Sequence, residues 1–225
     1  MKSWYNLFLV ITLFVSQAFF SQVTFTSKAN GNWNNPNTWS PSLPLLDSDG
    51  IPDANDDVFI GSNTITVTAN AECKSLTTGT ASKTGNTSNI NINANKLLNI
   101  IGDFLVQSNA VSLLDLEVLT LYNSNNVTNL SGSGSVTAGS LTIGNNITVT
   151  SSKSTTLTVT SVANFEVLGN VNLYTNVKGS YNNKATFRHD SGTITINGQM
   201  IMTQETDGSA TQYNSNLGVR QGTLI

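Results

Sequence analysis

Short runs in which apolar and polar residues alternate one by one recur from residue 58 onward. Thr64-Ile65-Thr66-Val67-Thr68 is one, Asn89-Ile90-Asn91-Ile92-Asn93 another, and Ser140-Leu141-Thr142-Ile143 a third. Ile147-Thr148-Val149, Thr156-Leu157-Thr158-Val159, Phe165-Glu166-Val167, Val171-Asn172-Leu173 and Thr193-Ile194-Thr195-Ile196 continue the series. A period of two sends successive side chains to opposite faces, so each run predicts a half-buried β-strand. Leu97 to Ile101 and Leu113 to Leu121 are more continuously apolar. They predict strands buried on both faces or, for the second, one short helical turn. No stretch carries an apolar stripe at 3.6-residue spacing.

Two all-β architectures accept short alternating strands: an antiparallel β-sandwich, or a parallel β-solenoid whose rungs stack. The stretch Thr193 to Thr203 discriminates between them. Asn197-Gly198 between apolar runs is ordinarily a hairpin signal. A two-residue hairpin there would set Ile196 against Gln199 and Thr195 against Met200, polar against apolar on each face. Read straight through, Ile194, Ile196, Met200 and Met202 keep one period-two register across the glycine. A bend between two strands of one rung requires that continuity. The Gly144-Asn145-Asn146 corner does not discriminate, because a three-residue hairpin pairs Ile143 with Ile147 acceptably. The sequence therefore predicts a right-handed parallel β-helix, with turns of roughly 20–25 residues and about seven rungs after residue 58. Side chains fill the inside of such a helix, so function belongs to its outer faces or its ends.

Ahead of these strands lie two segments of different character. Lys2 gives a positive start, and Leu7 to Val15 forms an apolar stretch of signal-peptide length. Ser16-Gln17-Ala18 and Phe19-Phe20-Ser21 then offer two peptidase sites. Residues 1–21 are read as a cleaved secretory signal, because Ser16 and Gln17 interrupt the run before it reaches membrane-spanning length. Residues 22–57 are irregular and rich in Trp and Asp, and residues 58–225 are the predicted β-solenoid. The predicted product is secreted or held at the outer cell surface, with no transmembrane anchor after cleavage.

Composition narrows the class. The 225 residues include 31 Asn, 30 Thr and 26 Ser, while charged residues make up only 10%. Thr favours strands, and Asn and Ser favour turns, so the balance suits an all-β chain with many corners. The net charge of −3 and the two arginines, Arg188 and Arg220, give no basic stripe, which argues against nucleic acid as a partner. Cys73 is the sole cysteine, so no internal disulfide is available, and it reads as a small buried apolar residue.

The opening segment carries a resemblance. Gly31-Asn32-Trp33-Asn34-Asn35-Pro36-Asn37-Thr38-Trp39-Ser40 is followed by Ile51-Pro52-Asp53-Ala54-Asn55-Asp56-Asp57-Val58-Phe59-Ile60 and by Ala71-Glu72-Cys73-Lys74-Ser75-Leu76. This is similar to the start of secreted bacterial surface proteins with a G8-like lead-in to a β-helix, of the kind exported by type IX secretion. The resemblance covers residues 25–76. It implies a cell-surface or adhesin-type architecture, with an extracellular glycan or surface matrix as the partner class, and it implies no activity. The C-terminal sorting domain of such proteins is not visible in the sequence. Together with the apolar, uncapped end Gly222-Thr223-Leu224-Ile225, this predicts the front part of a longer protein.

Three groups of residues could carry chemistry. Asp47, Asp49, Gly50, Asp53 and Asp56 match positions 3, 5, 6, 9 and 12 of a calcium loop, although Leu45 stands at the first ligand position. Asp47, Asp49, Asp53 and Asp56 are thus candidate Ca²⁺ ligands. The plainer reading is a solvated turn in which Asp56 and Asp57 cap the first strand. Trp33 and Trp39 could stack on sugar rings, or could close the open end of the first rung. Arg188-His189-Asp190-Ser191 is the one cluster of acid–base residues. Neighbours on a strand point to opposite faces, so His189 cannot meet both Arg188 and Asp190, and a hydrogen-bonding role at a surface corner is expected. Asp103, Asp115, Glu117 and Glu166 are scattered and make no glycosidase pair. Asn86, Asn126, Asn129 and Asn146 fall in glycosylation sequons, as expected by chance in so Asn- and Thr-rich a chain. The sequence therefore predicts a non-enzymatic surface β-solenoid of adhesive, structural or display role, with no catalytic residues. The alternative is a carbohydrate-binding or carbohydrate-active β-helix module of a larger extracellular enzyme.

Overall fold

The computed structural model describes residues 22–45, 47–79, 86–107, 126–144, 153–178, 181–206, 215–219 and 223–224. The signal segment 1–21, the apolar run Leu113 to Leu121, Ile147 to Val149 and Arg220 lie outside the described residues. Among those residues the chain is all-β, and its one helical element is the 3₁₀ turn Pro36–Thr38.

The strands pair almost entirely in parallel, in three ladders. The first ladder runs Thr24–Ser27, Asp57–Ile60, Ser75–Thr78, the second half of Leu97–Val106, the second half of Ser135–Ile143, Val171–Lys178 and Met200–Thr206. The second runs Gly31–Asn32, Thr64–Val67, Asn86–Ile92, Asn126–Gly132, Lys153–Thr160, Tyr181–His189 and Ser215–Val219. The third runs Ala71–Cys73, the first halves of Leu97–Val106 and Ser135–Ile143, then Val162–Val167, Gly192–Ile196 and Thr223–Leu224. From Asp57 onward the chain visits the ladders in the order first, second, third, and then returns to the first. Two pairings are antiparallel: Trp39–Pro41 with Thr24–Ser27, and Val171–Lys178 with Tyr181–His189.

Register explains the core. Phe25, Val58, Leu76, Phe104, Leu141 and Val171 follow one another across the first ladder, all buried. Ile65, Ile90, Leu130 and Val159 do so in the second, and Leu98, Val136, Phe165 and Ile194 in the third. Strand alternation turns these side chains inward, where they join a single cluster extending from Val23 to Ile194. Phe165 of the third ladder meets Phe187 of the second edge-on, with centroids 6.5 Å apart. Each fully buried Leu, Ile or Phe contributes roughly 1.5–3 kcal/mol of transfer free energy.

The Asn197-Gly198 bend follows the straight-through register. Gly192–Ile196 and Met200–Thr206 do not pair with each other; they lie in different ladders, each parallel to an earlier strand. Gly198 belongs to a stacked corner with Gly102, Gly139 and Gly169. The Gly102 amide donates to the Lys74 carbonyl over 2.7 Å, Gly169 to Gly139 over 2.7 Å, and Gly198 to Gly169 over 3.1 Å. A methyl group on Gly169 would lie 2.7 Å from the Gly139 carbonyl oxygen, so the close approach of successive corners excludes a side chain.

Two expectations need correction. Successive turns are longer than 20–25 residues: Val136, Phe165, Ile194 and Leu224 stack at intervals of 29, 29 and 30 residues. Strands of six to nine residues on each face require that length. Leu97 to Ile101 is not buried on both faces. Leu98 and Ile100 point inward, while Ile101 reaches the glycine corner and is 51% exposed.

Candidate functional site

The opening segment builds the first level of the fold. Thr24–Ser27 pairs with Asp57–Ile60 and Gly31–Asn32 with Thr64–Val67, so the first and second ladders both begin here. Asn35 caps the 3₁₀ turn by accepting the Asn37 amide over 3.0 Å, and Pro36 at its first position suits the fixed φ of proline. Gly31 has no room for a side chain, because Thr38 Oγ1 occupies that space on its way to the Asn32 carbonyl, 2.9 Å away. The turn reverses the chain, and Trp39–Pro41 runs antiparallel along the outer edge of Thr24–Ser27. Proline donates no hydrogen bond, so Pro41 blunts that edge against further strand addition.

Trp33 and Trp39 are 2% and 0% exposed and meet edge-on, with centroids 5.2 Å apart. Trp39 Nε1 donates to the Trp33 carbonyl over 2.7 Å, and Trp33 Nε1 points to the Pro52 carbonyl at 3.4 Å. Neither ring offers a face to solvent. This corrects the sugar-stacking expectation: the indoles are core residues of the first level.

The aspartates form the turn that follows. Asp47 accepts the Gly50 amide over 2.6 Å, Asp49 that of Ile51 over 2.9 Å, and Asp53 that of Asn55 over 2.7 Å. Gly50 has φ +72°, a conformation that glycine adopts freely. Asp56 is 4% exposed; its Oδ1 accepts the Val23 amide over 3.1 Å and its Oδ2 the Asp53 amide over 2.9 Å. Asp56 therefore ties the first strand to the turn. Asp57 points outward and accepts from Ser75 Oγ over 2.6 Å and from the Gln22 amide. Burial raises the Asp47 and Asp56 carboxyl pKa above the ordinary value, and neighbouring aspartates add to it, against the lowering effect of the amides they accept. Among the described residues, no three His, Cys, Asp or Glu side chains converge in a metal-holding group.

Cys73 lies in an inward column with Ile100 and is 0% exposed; burial, then the charges of Asp57, Asp56 and Glu72, push its thiol far above its usual range. A thiol so placed is inert packing.

His189 occupies an inward position in register with Val159 and is 1% exposed, which corrects the expectation of a surface corner. Its Nε2 lies 2.9 Å from the Ser191 carbonyl, an acceptor only, so Nε2 carries the proton. Nδ1 is buried with no hydrogen-bond partner. Arg188 and Asp190 point outward and pair with each other over 2.8 Å. Alternation thus separates the cluster as expected, and the histidine goes to the core side.

One arrangement was not singled out in the sequence. On the outward face of the second ladder, Thr64, Asn89, Asn129 and Thr158 stand in register on four successive strands. Asn89 Nδ2 donates to Thr64 Oγ1 over 3.2 Å, and Asn129 Nδ2 donates to Asn89 Oδ1 over 3.0 Å. Beside this row runs a second: Thr66, Asn91, Ser131 and Thr160. All but Thr160, which is exposed, are partly exposed. The signal for it is the polar half of the alternating pattern, visible only once the register is known.

No protein-family model matches the chain, and neither a curated protein nor a solved structure is significantly similar to it.

Proposed function

We propose that the chain is an exported, surface-displayed right-handed parallel β-helix with an adhesive, structural or display role and no catalytic one. The observation that carries this reading is the repeated order of three parallel ladders around one apolar cluster. Parallel connections within a sheet turn right-handed almost without exception, which supplies the handedness. An interior packed with side chains leaves outer faces to meet a partner, and those faces are dominated by Thr, Asn and Ser. The signal-like residues 1–21 and the resemblance of residues 25–76 to G8-like surface proteins support export. A carbohydrate-binding module of a larger extracellular enzyme is the second reading, favoured by the outward Asn and Thr rows of the second ladder.

Protease shaving of intact producing cells tests the main reading, followed by mass spectrometry of released peptides and of the mature N-terminus. Peptides from residues 58–225 and a mature start at Ala18 to Gln22 are expected. Retention of the chain inside the cell, or a far-ultraviolet circular dichroism spectrum dominated by helix, overturns it.

A further inference from the structure

We propose that the outward face of the second ladder, from Thr64–Val67 to Lys153–Thr160, is a docking surface for an extended, uncharged polysaccharide lying along the stacking direction. The inference rests on the reading above, that the chain works through its outer faces, and adds the face and the ligand class.

Charge selects the face. The first ladder carries Asp57 and Asp103 among its outward positions, and the third carries Glu72 and Glu166. The described side chains of the second ladder include no charged group from Thr64 through Thr160; Lys184 and the Arg188–Asp190 pair begin on the next strand. An anionic polymer laid over the neutral region would give up hydration and find no counter-charge. A neutral polyhydroxylated chain has no charge to desolvate, and each of its hydroxyls both donates and accepts.

Periodicity selects an extended polymer. Neighbouring strands stand about 4.8 Å apart and alternate residues of one strand about 6.6 Å apart, so the two rows form a regular grid of hydroxyls and amides. A chain of linked hexoses advances by a step comparable to the strand spacing, so successive sugars meet equivalent groups. The side chains are also held in place beforehand. Asn89 is fixed between Thr64 and Asn129 by its two hydrogen bonds. An amide has two donors and two lone pairs, so each Asn keeps unused capacity for a ligand. Fixing those rotamers before binding lowers the ordering cost of association.

The test is affinity electrophoresis of the signal-free chain in native gels containing hydroxyethyl cellulose or xyloglucan, both neutral, or alginate, which is anionic. Ser131→Glu puts a charge on the face, Asn89→Ala breaks the row without charge, and Thr142→Glu on the first ladder is the control. Melting by circular dichroism shows that each variant folds. Retardation by at least one neutral polymer is expected, weakened about tenfold by Ser131→Glu and by Asn89→Ala and unchanged by Thr142→Glu. Retardation by alginate alone, by no polymer, or equally in folded Ser131→Glu and wild type overturns the proposal. Sedimentation velocity covers a further outcome: self-association abolished by Ser131→Glu would make a second copy the occupant and overturn it too. Surface exposure by shaving without polysaccharide binding would sink this inference alone. Failure of shaving would sink the reading beneath it.

Discussion

The indole N–H of Trp39 donates to the main-chain carbonyl of Trp33 across 2.7 Å, while the two rings meet edge-on with both residues buried. This pair fixes the reversal between the strand that opens the second ladder and the strand that covers the edge of the first. Its chemistry separates packing from hydrogen bonding. Trp39→Phe keeps most of the apolar area but leaves the Trp33 carbonyl unpaired, and is expected to cost about 1–3 kcal/mol. Trp39→Ala removes the area too and should cost about 3–5 kcal/mol. The third tryptophan, Trp4, falls in the signal segment, so intrinsic fluorescence of the signal-free chain during urea unfolding reports on this unit directly.

The glycine corner predicts a contrast between two alanine substitutions. Gly169→Ala drives a methyl group to 2.7 Å from the Gly139 carbonyl oxygen, whereas at Gly61 the nearest atom is a Phe59 ring carbon at 3.9 Å. Gly169→Ala is expected to destabilise by about 1–3 kcal/mol through overpacking, and Gly61→Ala by much less. Thermal unfolding of the two variants side by side checks the order.

His189 combines one satisfied nitrogen with one buried and unpaired nitrogen. His189→Leu removes the orphan group while losing the bond to Ser191, and a change within about 1.5 kcal/mol of wild type is expected. His189→Lys sets a charge beside Val159 and should cost far more. A larger loss from the leucine variant than from the lysine one would refute the inward placement.

Acid titration separates Asp56 from ordinary surface carboxylates. Its carboxyl binds its proton more tightly in the folded chain than in the unfolded one, because burial outweighs the two amides it accepts. The folded state therefore holds more protons through the window that opens near the ordinary value of 3.8 and extends above it. Stability from this group falls as pH rises through that window and is fully present below it. Asp56→Asn should flatten this part of the pH–stability curve. It should also lower stability at neutral pH by about 1–3 kcal/mol, since an amide cannot accept both the Val23 and the Asp53 N–H groups.

A calcium ion held by Asp47, Asp49, Asp53 and Asp56 makes a separate demand. Calcium would have to raise the melting temperature at about millimolar concentration, the range of extracellular modules, and the rise would have to vanish in Asp49→Asn. A melting curve unchanged by calcium removes the ion from this turn.

The alternating pattern by itself determined that the chain is all-β, which residues form most strands, and which of their faces is apolar. It also placed the Asn197-Gly198 bend between two strands of one turn, because only an unbroken register keeps Ile194, Ile196 and Met200 on the same side. These features are local: strand alternation and turn chemistry act over a few residues. What the tertiary structure decided is how distant residues stand beside one another. The 29–30-residue spacing of the later turns depends on pairings between strands, which no single strand encodes. The inward histidine was hidden because it occupies a core column otherwise filled by Ile, Leu and Val, and one polar residue does not shift the register of a whole ladder. The burial of Trp33 and Trp39 depends on a reversal set by Gly31, Asn35 and Pro36 together. The row from Thr64 to Thr158 is the clearest case. Its members lie 25, 40 and 29 residues apart in sequence, and only parallel stacking brings their side chains within hydrogen-bonding reach.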